Sequence, residues 1–255
     1  MKMIKNTFLF LPGISELKEK NIWKNGINNW NDFLNSKKIN GISTPKKEGY
    51  NYLIKEAKEN LFADNINYFY TLLSLKHQWR LYDELKENIC FLDIETSDNN
   101  RDITIIGLFD GVETKMLVNG INLYRENFIN AINNFSMIVT FNGTSFDIPK
   151  IEKYFSTKIN IPHIDLRHVL SKLGHKGGLK AIEKDLGIKR RKEVSLFNGH
   201  NAIDAWKMWK STGDRSYLEL LIMYNEEDVI NLKQLAEYAV PKLWEKTSKN
   251  TMRTI

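Results

Sequence analysis

The chain has a single cysteine in 255 residues, Cys90. No internal disulfide can form, so this is not a small scaffold stapled by bridges, and a reducing cytoplasm is the expected setting. Cys90 lies in an apolar run and is expected to be a small buried side chain. A zinc site is not indicated either. His163, His168 and His175 show no zinc-ligand spacing and have no cysteine beside them. No apolar run approaches the roughly 20 residues that cross a bilayer, so no membrane partner is expected. The nearest thing to a leader is Phe8-Leu9-Phe10-Leu11 behind Lys2 and Lys5. It is too short, Pro12-Gly13 breaks it, and no small-residue cleavage site follows. Internal repeats and low-complexity tracts are also missing.

What is present is enough for a core: 42% hydrophobic and 11% aromatic residues, too many for disorder. The net charge of +6 suits a polyanionic partner without specifying one. Residues 1–88 read as a helical N-terminal extension. Ser15 caps a first helix, Trp23, Trp30 and Phe33 recur around Gly26, and a Gly/Ser/Thr/Pro break at 41–45 precedes a helical stretch over 50–85. Asp64-Asn65 is the point where that stretch would kink or split. The extension is expected to form a collar on the main domain.

Residues 89–255 read as an α/β domain. Strands are expected at 89–96, 102–111 and 112–118, the last two joined as a hairpin through Asp110-Gly111. A helix over 123–135, a strand over 137–141, a helix over 149–155 and a strand over 161–166 follow, and the remainder is helical. The expected architecture is a mixed five-stranded sheet flanked by helices.

The first strand, Ile89-Cys90-Phe91-Leu92-Asp93-Ile94-Glu95-Thr96, carries two acids. Side chains two apart on a strand share a face, so Asp93 and Glu95 project together. Such a pair at the end of an apolar strand is costly unless something neutralises it, and a hard divalent cation does so with oxygen ligands. A third acid, Asp147, stands where a helix begins after the turn Asn142-Gly143-Thr144-Ser145-Phe146. A cap would account for it alone, yet the position also faces the strand ends where α/β sites form. On the last helix Tyr224 and Asp228 are four apart and share a face beside an apolar stripe. Glu226 and Glu227, next to them, are expected to be mainly solvated or secondary.

Asp93-x-Glu95-Thr96, Asn142-x-x-x-Phe146-Asp147 and Tyr224-x-x-x-Asp228 together resemble the DEDDy branch of the 3′–5′ exonucleases in the ribonuclease H-like superfamily. The sister branch carries a histidine where this chain has Met223. The run from Leu179 to Gly187 and the pair Ala205-Trp206 are further similar to YprB-like exonucleases. Leu11-Pro12-Gly13-Ile14 with Trp23, Gly26-Ile27, Trp30 and Phe33 loosely resembles what precedes that domain in such proteins. The resemblance implies a ribonuclease H-like fold and a catalytic set of Asp93, Glu95, Asp147, Tyr224 and Asp228. It implies two ions, Mg²⁺ or Mn²⁺, held by the four acids, with Asp93 shared between them. Tyr224, a phenol with an ordinary pKa near 10, would orient the attacking water.

Single-stranded DNA or RNA 3′ ends are the implied substrate. No motif reads a 2′-hydroxyl, and DNA is the working expectation. Thr96, Ser97, Asn142 and Phe146 are candidates for gripping the terminal nucleotide. His175, Lys176 and Lys180, in a basic Gly-rich loop that opens a helix, are candidates for backbone phosphates. Lys189-Arg190-Arg191-Lys192 is a second basic run, weighed equally as a solvated turn. The rival readings are a non-catalytic nucleic-acid-binding scaffold on the same fold and an endonuclease of RNA–DNA hybrids. Proofreading in cis is not expected, because the chain leaves no room for a polymerase domain.

Overall fold

The computed structural model describes residues 3–98 and 102–252, the last four for their backbone only. Two compact units divide it, Glu87–Ala239 and the pair Met1–Lys86 with Val240–Ile255.

The larger unit is built on a five-stranded sheet in the order β3-β2-β1-β4-β5. The strands are β1 (Ile89–Thr96), β2 (Ile103–Phe109), β3 (Thr114–Val118), β4 (Met137–Thr140) and β5 (His163–Asp165). β1–β2 and β2–β3 pair antiparallel, whereas β1–β4 and β4–β5 pair parallel. This is the mixed sheet that the hairpin signals and α/β alternation led to. β2 is buried at every position, as expected of a strand covered on both faces.

Cys90, Leu92 and Ile94 send alternate side chains into one cluster, with Phe128, Ile132, Ile151 and Phe155. Phe128 and Phe155 stack there at 5.1 Å. Ile105 and Val118 pack in a second cluster with Ala202, Ala205, Leu221 and Tyr224. Asp93 and Glu95, in the opposite phase of β1 from Leu92 and Ile94, therefore lie away from the first cluster.

The helices of this unit that matter for the site are those that follow β3. Counting from the N-terminus of the chain, α1 to α5 (Glu16–Lys24, Trp30–Asn35, Thr44–Phe62, Ile66–Leu72 and Tyr82–Leu85) belong to the smaller unit. α6 (Arg125–Ile132), α7 (Asp147–Phe155), α8 (Leu166–Leu173), α9 (Leu179–Leu186), α10 (Gly199–Thr212) and α11 (Arg215–Met252) follow. Gly187 closes α9 in a left-handed cap (φ +74°), the usual end of a helix before a turn.

In the smaller unit the helical stretch over 50–85 is divided at Asp64-Asn65, the point expected to kink or split. α3 starts earlier, with proline in its first turn, and ends at Phe62. Asp64 then takes a left-handed backbone (φ +52°), which breaks the hydrogen-bond ladder. α4, a 3-10 turn over Leu75–Leu81 and α5 follow. Aromatic side chains fill this core: Trp30 stacks on Phe69 at 6.0 Å, and Trp23 meets Trp244 edge-on at 5.8 Å. The indole nitrogens of Trp23 and Trp30 donate to the carbonyls of Asn6 and Thr7.

A buried ion pair lies inside it. Arg80 and Glu19 have side chains 2% and 1% exposed. Arg80 Nη1 donates to both Glu19 oxygens at 2.8 and 2.7 Å, and Thr7 Oγ1 and the Phe8 N–H complete the carboxylate's partners. Removing one partner strands the other charge. Arg80→Ala should therefore lower unfolding free energy by about 3–5 kcal/mol in urea titration, while the double variant Arg80→Met/Glu19→Met recovers most of it. Equal losses in the single and double variants would show that the loss does not come from a stranded charge.

Candidate active site

β1 and α11 bring three carboxylates together. Oxygens of Asp93, Glu95 and Asp228 lie within 4.8 Å of one another. Asp228 is 5% exposed and Glu95 9%. Asp147 is the first residue of α7, only 3% exposed. Its Oδ1 accepts the β1 N–H of Ile94 at 3.2 Å, so it is locked against the same strand rather than capping its own helix. Tyr224, one turn before Asp228, is 7% exposed and packs on Phe197 at 5.2 Å.

Burial and crowding show in the titration of these groups. Asp93 is raised well above the ordinary carboxylate range by burial and by the charges of Asp228, Asp147 and Glu95. Glu95 is raised in the same way, by burial and by Asp228 and Asp147. Burial lifts Asp147 to about 7, against the pull of its own N–H and that of Ile94. Burial lifts Asp228 to about 6 despite the opposing Arg190. The Tyr224 phenol is pushed up by burial and then by Asp228, Glu95 and Asp93. The fold thus holds a group of acids of which, among the described residues, only Asp228 has a cation of the protein as its direct partner. An all-oxygen, anionic donor set of this kind fits a hard divalent cation.

Several participants escaped the sequence reading. Arg190, weighed equally as part of a solvated turn, has a side chain only 6% exposed. It forms a two-pronged pair with Glu183, at 2.6 and 2.7 Å, and donates from Nη2 to Asp228. Glu183 in turn accepts from Asn231 Nδ2 at 3.1 Å. Glu227, expected in solvent, is 7% exposed and pairs with Arg191 at 3.1 Å. Asn225 donates from Nδ2 to Asp93 Oδ2 at 2.8 Å. A Cβ on Gly107, the β2 partner of Asp93, would meet Asn225 Oδ1 at 2.1 Å. Glycine in mid-strand is there to admit this amide. The glycine was visible in the sequence, but nothing local tied it to position 225.

The candidate nucleotide contacts are scattered in setting. Lys180 lines a 340 Å³ cavity with Asp93, Glu95, Tyr224 and Asp228. Its Nζ sits 4.7 Å over the Tyr224 ring, and burial lowers its pKa. Thr96 is buried at the end of β1. The Ser97 Oγ accepts the Asp102 N–H at 3.2 Å. Asn142 has a left-handed backbone (φ +68°). Its N–H donates to Asp165, and its Oδ1 accepts from Arg167 at 2.7 Å. Phe146 packs at the edge of the first cluster with Lys150 over its ring. His175 is engaged with the Tyr238 hydroxyl at 3.0 Å, and Lys176 is exposed.

A parallel–antiparallel sheet with carboxylates at the end of its central strand defines a ribonuclease H-like nuclease fold. The RNase_H superfamily model matches residues 90–240, and the chain belongs to that superfamily. Among solved structures, a family B DNA polymerase from the hyperthermophilic archaeon Pyrobaculum calidifontis is similar, with a TM-score of 0.52 and 16% identity. The match covers 65% of this chain and 26% of the polymerase, so the chain spans about a quarter of that protein, and the likeness is one of fold. Comparison with curated proteins gives no significant match. Among the described residues no helix is long and apolar enough to cross a membrane.

Two outcomes follow from the electrostatics. Without a cation, the raised carboxyl pKa values contribute stability below the unfolded value near 3.8 that is lost as pH rises through about 6 and about 7. A bound cation reverses this, because it requires the deprotonated acids. Thermal unfolding should therefore show stabilisation by millimolar Mn²⁺ at about pH 8 that largely disappears at about pH 5, and little response in Asp93→Asn at either pH. An equal shift in Asp93→Asn would place the cation elsewhere. Gly107→Ala should displace Asn225 and weaken Mn²⁺ binding roughly tenfold or more in a calorimetric titration; unchanged affinity would remove Asn225 from the site.

Proposed function

We propose that the protein is a metal-dependent 3′–5′ exonuclease of the DEDDy type acting on single-stranded nucleic acid ends, with DNA favoured over RNA. The observation that carries this reading is the gathering of Asp93, Glu95 and Asp228 within 4.8 Å, with Tyr224 on the same helix and Asp147 locked to the same strand. A binding scaffold would have no use for an excess of carboxylates where a polyanion must approach.

Asp93, Glu95 and Asp228 would hold one cation, and Asp93 with Asp147 a second, Mg²⁺ or Mn²⁺ in either place. Such ions, when bound, supply water activation and charge neutralisation at the phosphate. The chain's own residues do the rest. Asn225 fixes the orientation of Asp93, and Arg190 fixes that of Asp228. Tyr224, its proton held by burial and the neighbouring anions, acts as a hydrogen-bond donor that orients the attacking water rather than as a base. Lys180, on the wall of the same cavity, offers a cation to a phosphate oxygen. Thr96, Ser97, Asn142, Phe146, His175 and Lys176 are assigned to the strand near its end. Asn142 and His175 would have to exchange their present partners to serve in that way.

The test is digestion of 5′-labelled single-stranded DNA and RNA of one sequence with Mg²⁺, Mn²⁺ or EDTA. A metal-dependent ladder shortening from the 3′ end is expected, absent in Asp93→Ala, and the faster substrate identifies the sugar. Tyr224→Phe should lower kcat by about 10²–10⁴-fold with metal affinity within a few-fold of the parent. Internal cuts would establish an endonuclease instead, and binding without cleavage a scaffold.

A further inference from the structure

The smaller unit contains a cavity of about 760 Å³, within the range of small-molecule sites. Its lining includes Lys5, Asn6, Trp30, Lys58, Phe62, Asp64 and Glu84. Three independent features single it out.

The first is Asn6. Its side chain belongs to a residue only 6% exposed, and its Nδ2 has no hydrogen-bond partner among the described residues. Buried amide donors in folded proteins are nearly always satisfied, so an orphan just behind a cavity wall marks an amide that a side-chain rotation can turn to an acceptor on a ligand. The second is Phe62, which is 93% exposed at the end of α3. A single exposed aromatic is ordinary on a surface. One on a cavity lined by polar groups offers a free ring face for stacking. The third is the charge pattern. Lys5 is exposed and without an ion-pair partner among the described residues, and Lys58 donates to Asn31 at 3.0 Å. These two lysines line the same cavity as Asp64 and Glu84. A balanced wall does not suit a polyanion alone. It suits a ligand with an anionic end and an end rich in hydroxyl or amino donors.

We infer that this cavity binds a single nucleotide unit: the base stacked on Phe62 and accepting a hydrogen bond from the Asn6 amide once that amide turns into the cavity, the phosphate at Lys5 and Lys58, the sugar hydroxyls or base amine toward Asp64 and Glu84. A free mononucleotide and an unstacked nucleotide within a strand share this chemistry. The inference does not depend on the carboxylate cluster being catalytic.

The experiment is a calorimetric titration of the full chain carrying Asp93→Ala, in EDTA, with each of the four nucleoside 5′-monophosphates and with a trinucleotide. Saturable binding of at least one probe is expected. Phe62→Ala, at a side chain that makes no structural demand, should weaken it about tenfold or more with an unchanged melting temperature. Lys5→Glu should weaken it and flatten its dependence on salt. Binding of the mononucleotide alone identifies a free nucleotide, and binding of the trinucleotide alone a unit of a strand. No saturation by any probe up to about 5 mM, or saturation indifferent to both substitutions, overturns the inference. Because cleavage plays no part in the readout, failure here leaves the exonuclease assay untouched, and the reverse holds as well.

Discussion

Everything at the candidate site depends on one electrostatic constraint: carboxylates from distant parts of the chain are held close together in a place poor in water. Such a cluster opposes its own assembly, because burial disfavours each anion and each anion disfavours the next. The sheet offsets this. Leu92 and Ile94 alternate with Asp93 and Glu95 along β1 and are buried on the opposite phase. Each such side chain contributes about 1.5–3 kcal/mol on leaving water. The strand is thus anchored by its apolar phase, and the acidic phase is carried with it. Asp147 adds a second anchor through the Ile94 N–H. The acids are close because the core leaves them nowhere else to be.

The groups around the cluster adjust its shape more than its charge. Arg190 reaches Asp228, yet two of its prongs are taken by Glu183, so the pair brings little net charge to the site. What it brings is direction. A guanidinium gripped by a carboxylate has one orientation, and it presents that orientation to Asp228. A lysine could not do the same, having a point charge and no planar fork. Asn225 is likewise neutral and directional toward Asp93. The protein thus fixes the geometry of these carboxylates while leaving most of their negative charge for something else to satisfy, the division of labour that a metal site would require of ligands and the groups that support them.

Much of this was legible because it is periodic. A spacing of two on a strand and of four on a helix places Asp93, Glu95, Tyr224 and Asp228 without knowledge of the fold, and the sheet followed from hydrophobic runs and turn residues. What escaped was long-range. Arg190 looked like one cation in a run of four, because its partners are seven and 38 positions away. Glu227 looked like surface because Arg191 lies far from it in sequence. Asn142 read as a turn residue free to meet a sugar, whereas Asp165 and Arg167 already engage it. The break at Asp64-Asn65, by contrast, was legible, because aspartate tolerates the left-handed conformation that Asp64 takes. Local periodicity determines which side chains share a face; the partners across the fold determine what charge they feel.

That distinction bears on Tyr224. By spacing alone it is a phenol beside a carboxylate and could be given the part of a base. In its setting the anions of Asp228, Glu95 and Asp93 all oppose a phenolate, and burial opposes it further. The hydroxyl therefore keeps its proton and can serve only as a donor, or as an acceptor through its oxygen lone pairs. The ring is held independently of the hydroxyl, by Phe197 on one side and the Lys180 ammonium over its face. Removing the oxygen thus leaves the ring in place and changes one hydrogen bond. In a site where the carboxylates carry the charge, a neutral donor on a rigid ring is suited to set the direction of a water molecule.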